Sequence, residues 1–352
     1  MDQYKKTLRW LEPWNGWDKS NNYDTGLCNR ILHWEIAQHI NRCNNYEYTI
    51  LLEKKYWPEM PLIELPNTVI VNTDEMDDEE LSSLKFKTVY DTKNGIVRLS
   101  SPIDTDTVES LFLKNNFVLN KYENHYYSDF GFRTLNELSN KYQINDLPEI
   151  RPINHINLRH KSIEFFLKNT LKDVVGLHIR RGNGIYLNET DYDTFPIEER
   201  EKLKLFKNQY TVDTCENCFF YDDSLYFNIM DNMLKINPNQ IFYISSDLPH
   251  EIMQYYRTKY GYSLIDNLHI YNTVQTFLYN SGYQKNEISY GGIVQTVSDL
   301  FSLVYSGYII KVPHSTWSDF ADWKENKFSS RIDELWETQI KEKYNQFINK
   351  NN

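Results

Sequence analysis

Three stretches make this chain an α/β protein built on a doubly wound parallel sheet. Asp173-Val174-Val175-Gly176-Leu177-His178-Ile179-Arg180-Arg181 is an apolar run with almost no solvent face, the pattern of a strand covered on both sides, and Gly182 and Gly184 end it sharply. Gln240 to Asp247 repeats the arrangement, an apolar strand tipped by Ser245, Ser246 and Asp247, with a helix from about Pro249 to Lys259 behind it. Tyr308 to Val312 repeats it again, followed by Pro313-His314-Ser315-Thr316 and a helix beginning near Trp317. Strand, polar tip and helix in succession is how a sheet with helices on both faces is written.

The bulk numbers set the frame. A chain of 352 residues exceeds what one hydrophobic core usually supports, so two domains are expected. Pro148 and Pro152 mark the hinge, which divides the chain into residues 1–150, residues 151–330 and a closing helix within 331–352. With 40% hydrophobic and 15% aromatic residues the chain is not disordered. A formal charge of −11, with no concentrated basic face, argues against a nucleic-acid partner. Any phosphate site must therefore be local. There is no secretory n-region and h-region, and no apolar run approaches the roughly 18 residues a bilayer span needs. The expectation is a soluble, cytoplasmic protein without an integral membrane segment. Cys28, Cys43, Cys215 and Cys218 are too few for a disulfide framework, and the lone CxxC at 215–218 lacks the second pair that a structural zinc site needs.

From the amino terminus, Trp10, Trp14 and Trp17 surround Pro13 and Gly16 in an extended segment and aromatic loop that either packs a domain edge or stacks on a sugar. Asp24-Thr25-Gly26-Leu27-Cys28-Asn29-Arg30 is a glycine turn feeding a helix with Leu27, Ile31, Trp34 and Ile40 on one face. Tyr48 to Leu52 and Thr68 to Val71 read as strands, and residues 74–80 as a solvated acidic run. Two DxD triplets, 104–106 and 191–193, follow no buried strand, so no metal site is expected at either. Residues 111–152 read as helices and loops. A helix over 157–171 leads into the central strand, and a polar loop carrying Asn188, Glu189, Asp191 and Asp193 leaves it. Ser224 to Ile236 is helical. Gly291-Gly292 opens a helix with Val294, Val297, Phe301 and Val304 on its face and Asp299 at the margin, which Gly307 ends; the last helix is expected over 331–349.

Three strand ends then converge: Arg180 with Arg181, Ser245 to Asp247, and Ser315 with Thr316. Two guanidinium groups, a carboxylate, and hydroxyls at a helix N-terminus suit a nucleoside diphosphate, since arginine holds phosphate oxygens bidentately and a carboxylate accepts N–H groups of a base. Neither GxxxxGK(S/T) nor GxGxxG occurs, which disfavours an NTPase and a dehydrogenase.

These motifs resemble those of GDP-fucose-dependent fucosyltransferases of the GT-B architecture. His178-Ile179-Arg180-Arg181-Gly182-Asn183-Gly184 matches their HxRxG(D/N) segment, and the Asn-Gly ending resembles the rhizobial nodulation α1,6-fucosyltransferases most. Gly26 to Arg30 resembles the GxxN(Q/R) turn, Tyr243 to Asp247 the second motif, and Gly292 to Trp317 the third. The four occur in order across some 290 residues. The similarity also extends to the α1,2- and protein O-fucosyltransferases.

The resemblance implies two Rossmann-like domains facing across a cleft and an inverting, metal-independent transfer of L-fucose from GDP-fucose to a glycan hydroxyl, without a cofactor. It implies that Gly26, Asn29, Arg30, His178, Arg180, Arg181, Ser246, Asp247, Asp299, Ser315 and Thr316 lie at the nucleotide. Arg180 corresponds to the residue that holds the β-phosphate of departing GDP, and Asp247 and Asp299 to positions near guanine and ribose. Glu189 is the first candidate for the general base, ahead of Asp191, Asp24 and Asn29. Asn183 stands where many members carry aspartate, and the acceptor half resembles the family only at Gly26 to Arg30. The alternatives are a GT-B transferase with another nucleotide-sugar donor and a sugar- or nucleotide-binding protein without catalysis. The aromatic surfaces also admit a homodimer.

Overall fold

The computed structural model describes residues 7–10, 27–43, 48–54, 57–72, 132–141, 143–144, 149–153, 162–180, 223–246, 250–282, 291–313, 315–325 and 328–351, with single positions at 75, 77 and 221. The chain divides into two compact units, Met1–Ile153 and Asn154–Asn352.

In the first unit, β1 (Thr7–Trp10), β2 (Tyr48–Glu53) and β4 (Thr68–Val71) form a parallel sheet in that order. A second, two-stranded ladder pairs β3 (Ile63–Glu64) antiparallel with β5 (Arg151–Pro152). Pro152, read from the sequence as a hinge, thus belongs to a strand. Helix α1 (Leu27–Cys43) connects β1 to β2, as parallel neighbours require. Leu27, Ile31, Trp34 and Gln38 are buried along it at spacings of three and four, with His39 buried beside them, and the Trp34 indole donates to Thr68 Oγ1 at 2.8 Å, fastening the helix to β4. Helix α2 (Phe132–Lys141) buries Phe132 and Leu135.

The second unit is α/β, a five-stranded parallel sheet flanked by helices. Its elements are α3 (Ile163–Leu171), β6 (Val175–Ile179), α4 (Asp223–Ile236), β7 (Phe242–Ser246), α5 (His250–Tyr260), β8 (Leu264–Asp266), α6 (Asn267–Asn280), α7 (Gly291–Tyr305), β9 (Tyr308–Lys311), α8 (Thr316–Glu325), β10 (Phe328–Arg331) and α9 (Lys341–Asn351). The strand order is β8-β7-β6-β9-β10. The chain starts in the middle, lays two strands to one side, then crosses to the other, so β6 and β9 flank the point where the winding reverses.

Alternation along the strands decides what each face carries. Val175, Leu177, Ile179, Phe242, Ile244, Tyr308 and Ile310 point to one side, where they form a core with α4, α5 and α9. The opposite face, Gly176 and His178 on β6 with Tyr243 and Ser245 on β7, meets α7. Gly176 permits the close approach of α7 on that face, and Gly307 the approach of the turn after α3. A Cβ on Gly176 would stand 2.7 Å from Ser306 Oγ, and one on Gly307 would stand 1.9 Å from the Lys172 carbonyl oxygen.

Local capping follows the sequence. Ser162 Oγ accepts from the Phe165 amide at 3.0 Å to start α3, and Asp266 Oδ1 accepts from the His269 amide at 2.9 Å to start α6. Two elements depart from the expectation. Residues 328–331 are an edge strand, and the helical segment starts only at Trp336, with a π-turn to Ile340 before α9. Phe328-Ser329-Ser330-Arg331 has no apolar run to announce a strand; its conformation comes from pairing with β9. The sequence likewise does not announce the β8–α6 unit, because a three-residue strand leaves too little periodicity to read.

Candidate functional site

In an open parallel sheet the ends of the loops separate where the winding reverses, which leaves a crevice beyond the carboxyl ends of the flanking strands. Here those strands are β6, which runs into Arg180, and β9, which runs through Val312 and Pro313 to Ser315. The register joins a third tip: His178 is level with Ser245 and Ile179 with Ser246.

His178 is buried, 5% exposed, and its Nδ1 has no hydrogen-bond partner among the described residues. Burial, and secondarily the charge of Arg180, lower its pKa to about 3. The imidazole is therefore neutral at ordinary pH. Its main-chain carbonyl accepts from the Tyr226 hydroxyl at 3.2 Å. Ser246 donates its hydroxyl to the Ile179 carbonyl at 2.9 Å, and Asn267 Nδ2 donates to the Ser246 carbonyl at 3.3 Å, so the β7 tip is bound to both neighbours.

Asp299 on α7 faces the same strand tips. Its Oδ1 accepts from the Tyr243 hydroxyl and its Oδ2 from Ser245 Oγ at 2.7 Å. Ser245 Oγ in turn accepts from the Trp317 indole N–H at 3.0 Å, which brings the first turn of α8 into the group. Burial foremost, with the neighbouring Asp299 charge, pushes the Tyr243 phenol well above its usual range, so it remains a donor.

At the start of α8 the Ser315 carbonyl accepts from the Asp319 amide at 2.9 Å, which makes Ser315 the N-cap and Thr316 the first helical residue. Ser318 Oγ bonds the Val312 carbonyl at 3.1 Å. Lys311, at the end of β9, holds Asp319 at 3.4 Å and Asp322 at 2.5 Å, and so locks the helix to the strand that precedes it.

His178, Ser246, Asp299, Ser315 and Thr316 thus gather at the carboxyl edge of one sheet, with Arg180 two residues beyond His178. Arg30 is in the first unit, where its guanidinium makes a two-pronged pair with Glu59 at 2.7 and 2.8 Å and lies 5.3 Å from the Trp57 ring. Asn29 is on α1, its side chain outside the described set. Gly26, Arg181, Glu189 and Asp247 lie outside the described residues, as do Asp24, Asp191, both DxD triplets and the CxxC. Among the described residues no group of three or more His, Cys, Asp or Glu side chains could hold a metal ion, and no helix is long and apolar enough to cross a membrane.

The sequence reading assigns no site role to Tyr243 or Trp317. Tyr243 and Ser245 stand two apart in a buried strand, which puts two hydroxyls on one face, and that spacing was the available signal. None of the protein-family models or curated protein sequences matches this chain.

Proposed function

We propose that this protein is an inverting glycosyltransferase that moves L-fucose from GDP-fucose to a glycan hydroxyl. What supports the reading is that five of the residues that resemble the fucosyltransferase motifs, His178, Ser246, Asp299, Ser315 and Thr316, lie at the carboxyl edge of the sheet whose winding reverses between β6 and β9. The two units are then the two Rossmann-like domains of a GT-B enzyme, with the donor held by the second and the acceptor by the first.

The chemistry needs a cation at the leaving group. Cleavage of the sugar–phosphate bond leaves an oxocarbenium-like fucose and adds negative charge to the β-phosphate of GDP. Arg180 is assigned to neutralise that charge. Because His178 is neutral, the positive charge at this strand end belongs to arginine. The N-terminus of α8, with Ser315 and Thr316, offers amides and hydroxyls to the diphosphate. Asp299 supplies a carboxylate for base or ribose. On the opposite face of the sugar, Glu189 is assigned to take the proton of the acceptor hydroxyl as its oxygen attacks the anomeric carbon, which inverts it. The reading involves no metal and no cofactor.

The test is transfer from GDP-fucose across a panel of glycans, with and without EDTA, beside titrations with GDP, UDP and ADP. Transfer that survives EDTA, with selective binding of GDP, is the expected result. Selective binding of UDP or ADP would instead favour another nucleotide-sugar donor, and GDP binding without hydrolysis or transfer would favour a binding protein.

A further inference from the structure

The hydrogen bonds around Asp299 have a direction. The indole N–H of Trp317 can only donate, so Ser245 Oγ receives it at 3.0 Å and must turn its own hydrogen elsewhere; the Asp299 Oδ2 atom stands 2.7 Å away to accept it. Tyr243 donates to the other oxygen, Oδ1. Each carboxylate oxygen thus accepts from a hydroxyl, and the two hydroxyls come from residues on the same face of β7, while α7 supplies the carboxylate and α8 the indole.

Two fixed contacts on two oxygens set both the position and the rotation of a carboxylate plane. A group prepared in this way binds a ligand's N–H or O–H donors without first losing rotational freedom. We infer that Tyr243, Ser245 and Trp317 are positioning residues that orient the Asp299 carboxylate for the nucleotide. The inference rests on the reading of Asp299 as a nucleotide contact.

Trp317 carries a further consequence. It is the second residue of α8, one position after Thr316, so the same chain of bonds ties the N-terminus of α8 to the strand tip that holds Asp299. The bonds therefore couple the position of the carboxylate to that of the helix terminus, the two groups assigned to the two ends of the nucleotide.

The experiment compares dissociation constants of the full-length protein for GDP, IDP and 2′-deoxy-GDP, which differ from GDP at the exocyclic amino group and at the ribose hydroxyl. Asp299→Asn identifies which ratio, GDP to IDP or GDP to deoxy-GDP, depends on the carboxylate; that ratio is expected to be about tenfold or more in the wild type, the range for one hydrogen bond to a charged group. Tyr243→Phe keeps the ring and removes only the hydroxyl, whereas Trp317→Phe removes the indole N–H together with the pyrrole half of the ring system. Each is expected to lower the same ratio about threefold or more. Tyr256→Phe removes a buried tyrosine hydroxyl that bonds Asp223 away from this network, and is expected to leave the ratio unchanged whatever it costs in stability. An unchanged ratio in Tyr243→Phe and Trp317→Phe, or an equal fall in Tyr256→Phe, overturns the inference. So does an Asp299→Asn variant in which neither ratio differs from that of the wild type. If the wild type shows no preference for GDP over ADP and UDP, it is the fucosyltransferase reading that fails.

Discussion

The hydroxyl of Ser246 is bonded to the carbonyl of Ile179 at 2.9 Å, across the two central strands and one residue before Arg180. Ordinary parallel pairing ends near this level, so a side chain continues the ladder where main-chain bonds stop. Ser246→Ala removes the donor without adding bulk. It is expected to lower the unfolding free energy by about 1 kcal/mol, the usual net worth of such a bond, read from urea midpoints.

Arg180→Ala tests the leaving-group assignment. Loss of one preorganised donor to developing charge typically costs about 3 kcal/mol, or about two orders of magnitude in turnover. The expected pattern is a fall in kcat with far-UV circular dichroism unchanged. Turnover near that of the wild type would remove Arg180 from the mechanism.

Arg30 and Glu59 are 13% and 8% exposed at their side chains and fasten α1 to the segment before β3. Removing either partner leaves the other charge poorly solvated and is expected to cost about 3 kcal/mol or more, whereas replacing both with apolar residues of similar volume is expected to recover much of the loss. A double-mutant cycle with Arg30→Met and Glu59→Leu reads the coupling directly.

Two buried histidines make stability depend on acid. Burial lowers His178 from the usual 6.5 to about 3, and burial lowers His39 to about 4 against a partly compensating bond to the Glu35 carbonyl. Because the unfolded chain binds these protons at higher pH than the folded one, their contribution is complete above about pH 6.5 and is lost as pH falls towards 4 for His39 and 3 for His178. Each lowers stability by up to about 1.4 kcal/mol per pH unit inside its window. Unfolding curves at pH 7.5, 6 and 5 are expected to show this fall, and His39→Gln is expected to make it shallower.

Gly307→Ala places a methyl group 1.9 Å from the Lys172 carbonyl oxygen, a main-chain atom that cannot turn aside. The expected loss is about 3 kcal/mol or more, measured as a lowered thermal midpoint. Gly176→Ala meets side-chain atoms of Ser306 and Leu303 instead, and is expected to cost less.

The amino-acid order by itself determined the apolar runs that became β6, β7 and β9, the helices that follow them, and the polar tips at Arg180, Ser245 and Ser315. These signals are local, since a strand buried on both faces must be apolar throughout and a helix end must satisfy its amides nearby. The strand order, the edge strand at Phe328–Arg331 and the short β8 were decided by tertiary structure, because their hydrogen bonds run to residues far away in the chain. The same reason applies to the site. His178 and Asp299 could be singled out by motif, but that Tyr243 and Ser245 grip the Asp299 carboxylate, and that Trp317 directs the Ser245 proton towards it, depends on α7 and α8 packing over one face of β7. Periodicity tells which residues share a face; only the packed sheet tells which helix covers that face and what its side chains meet.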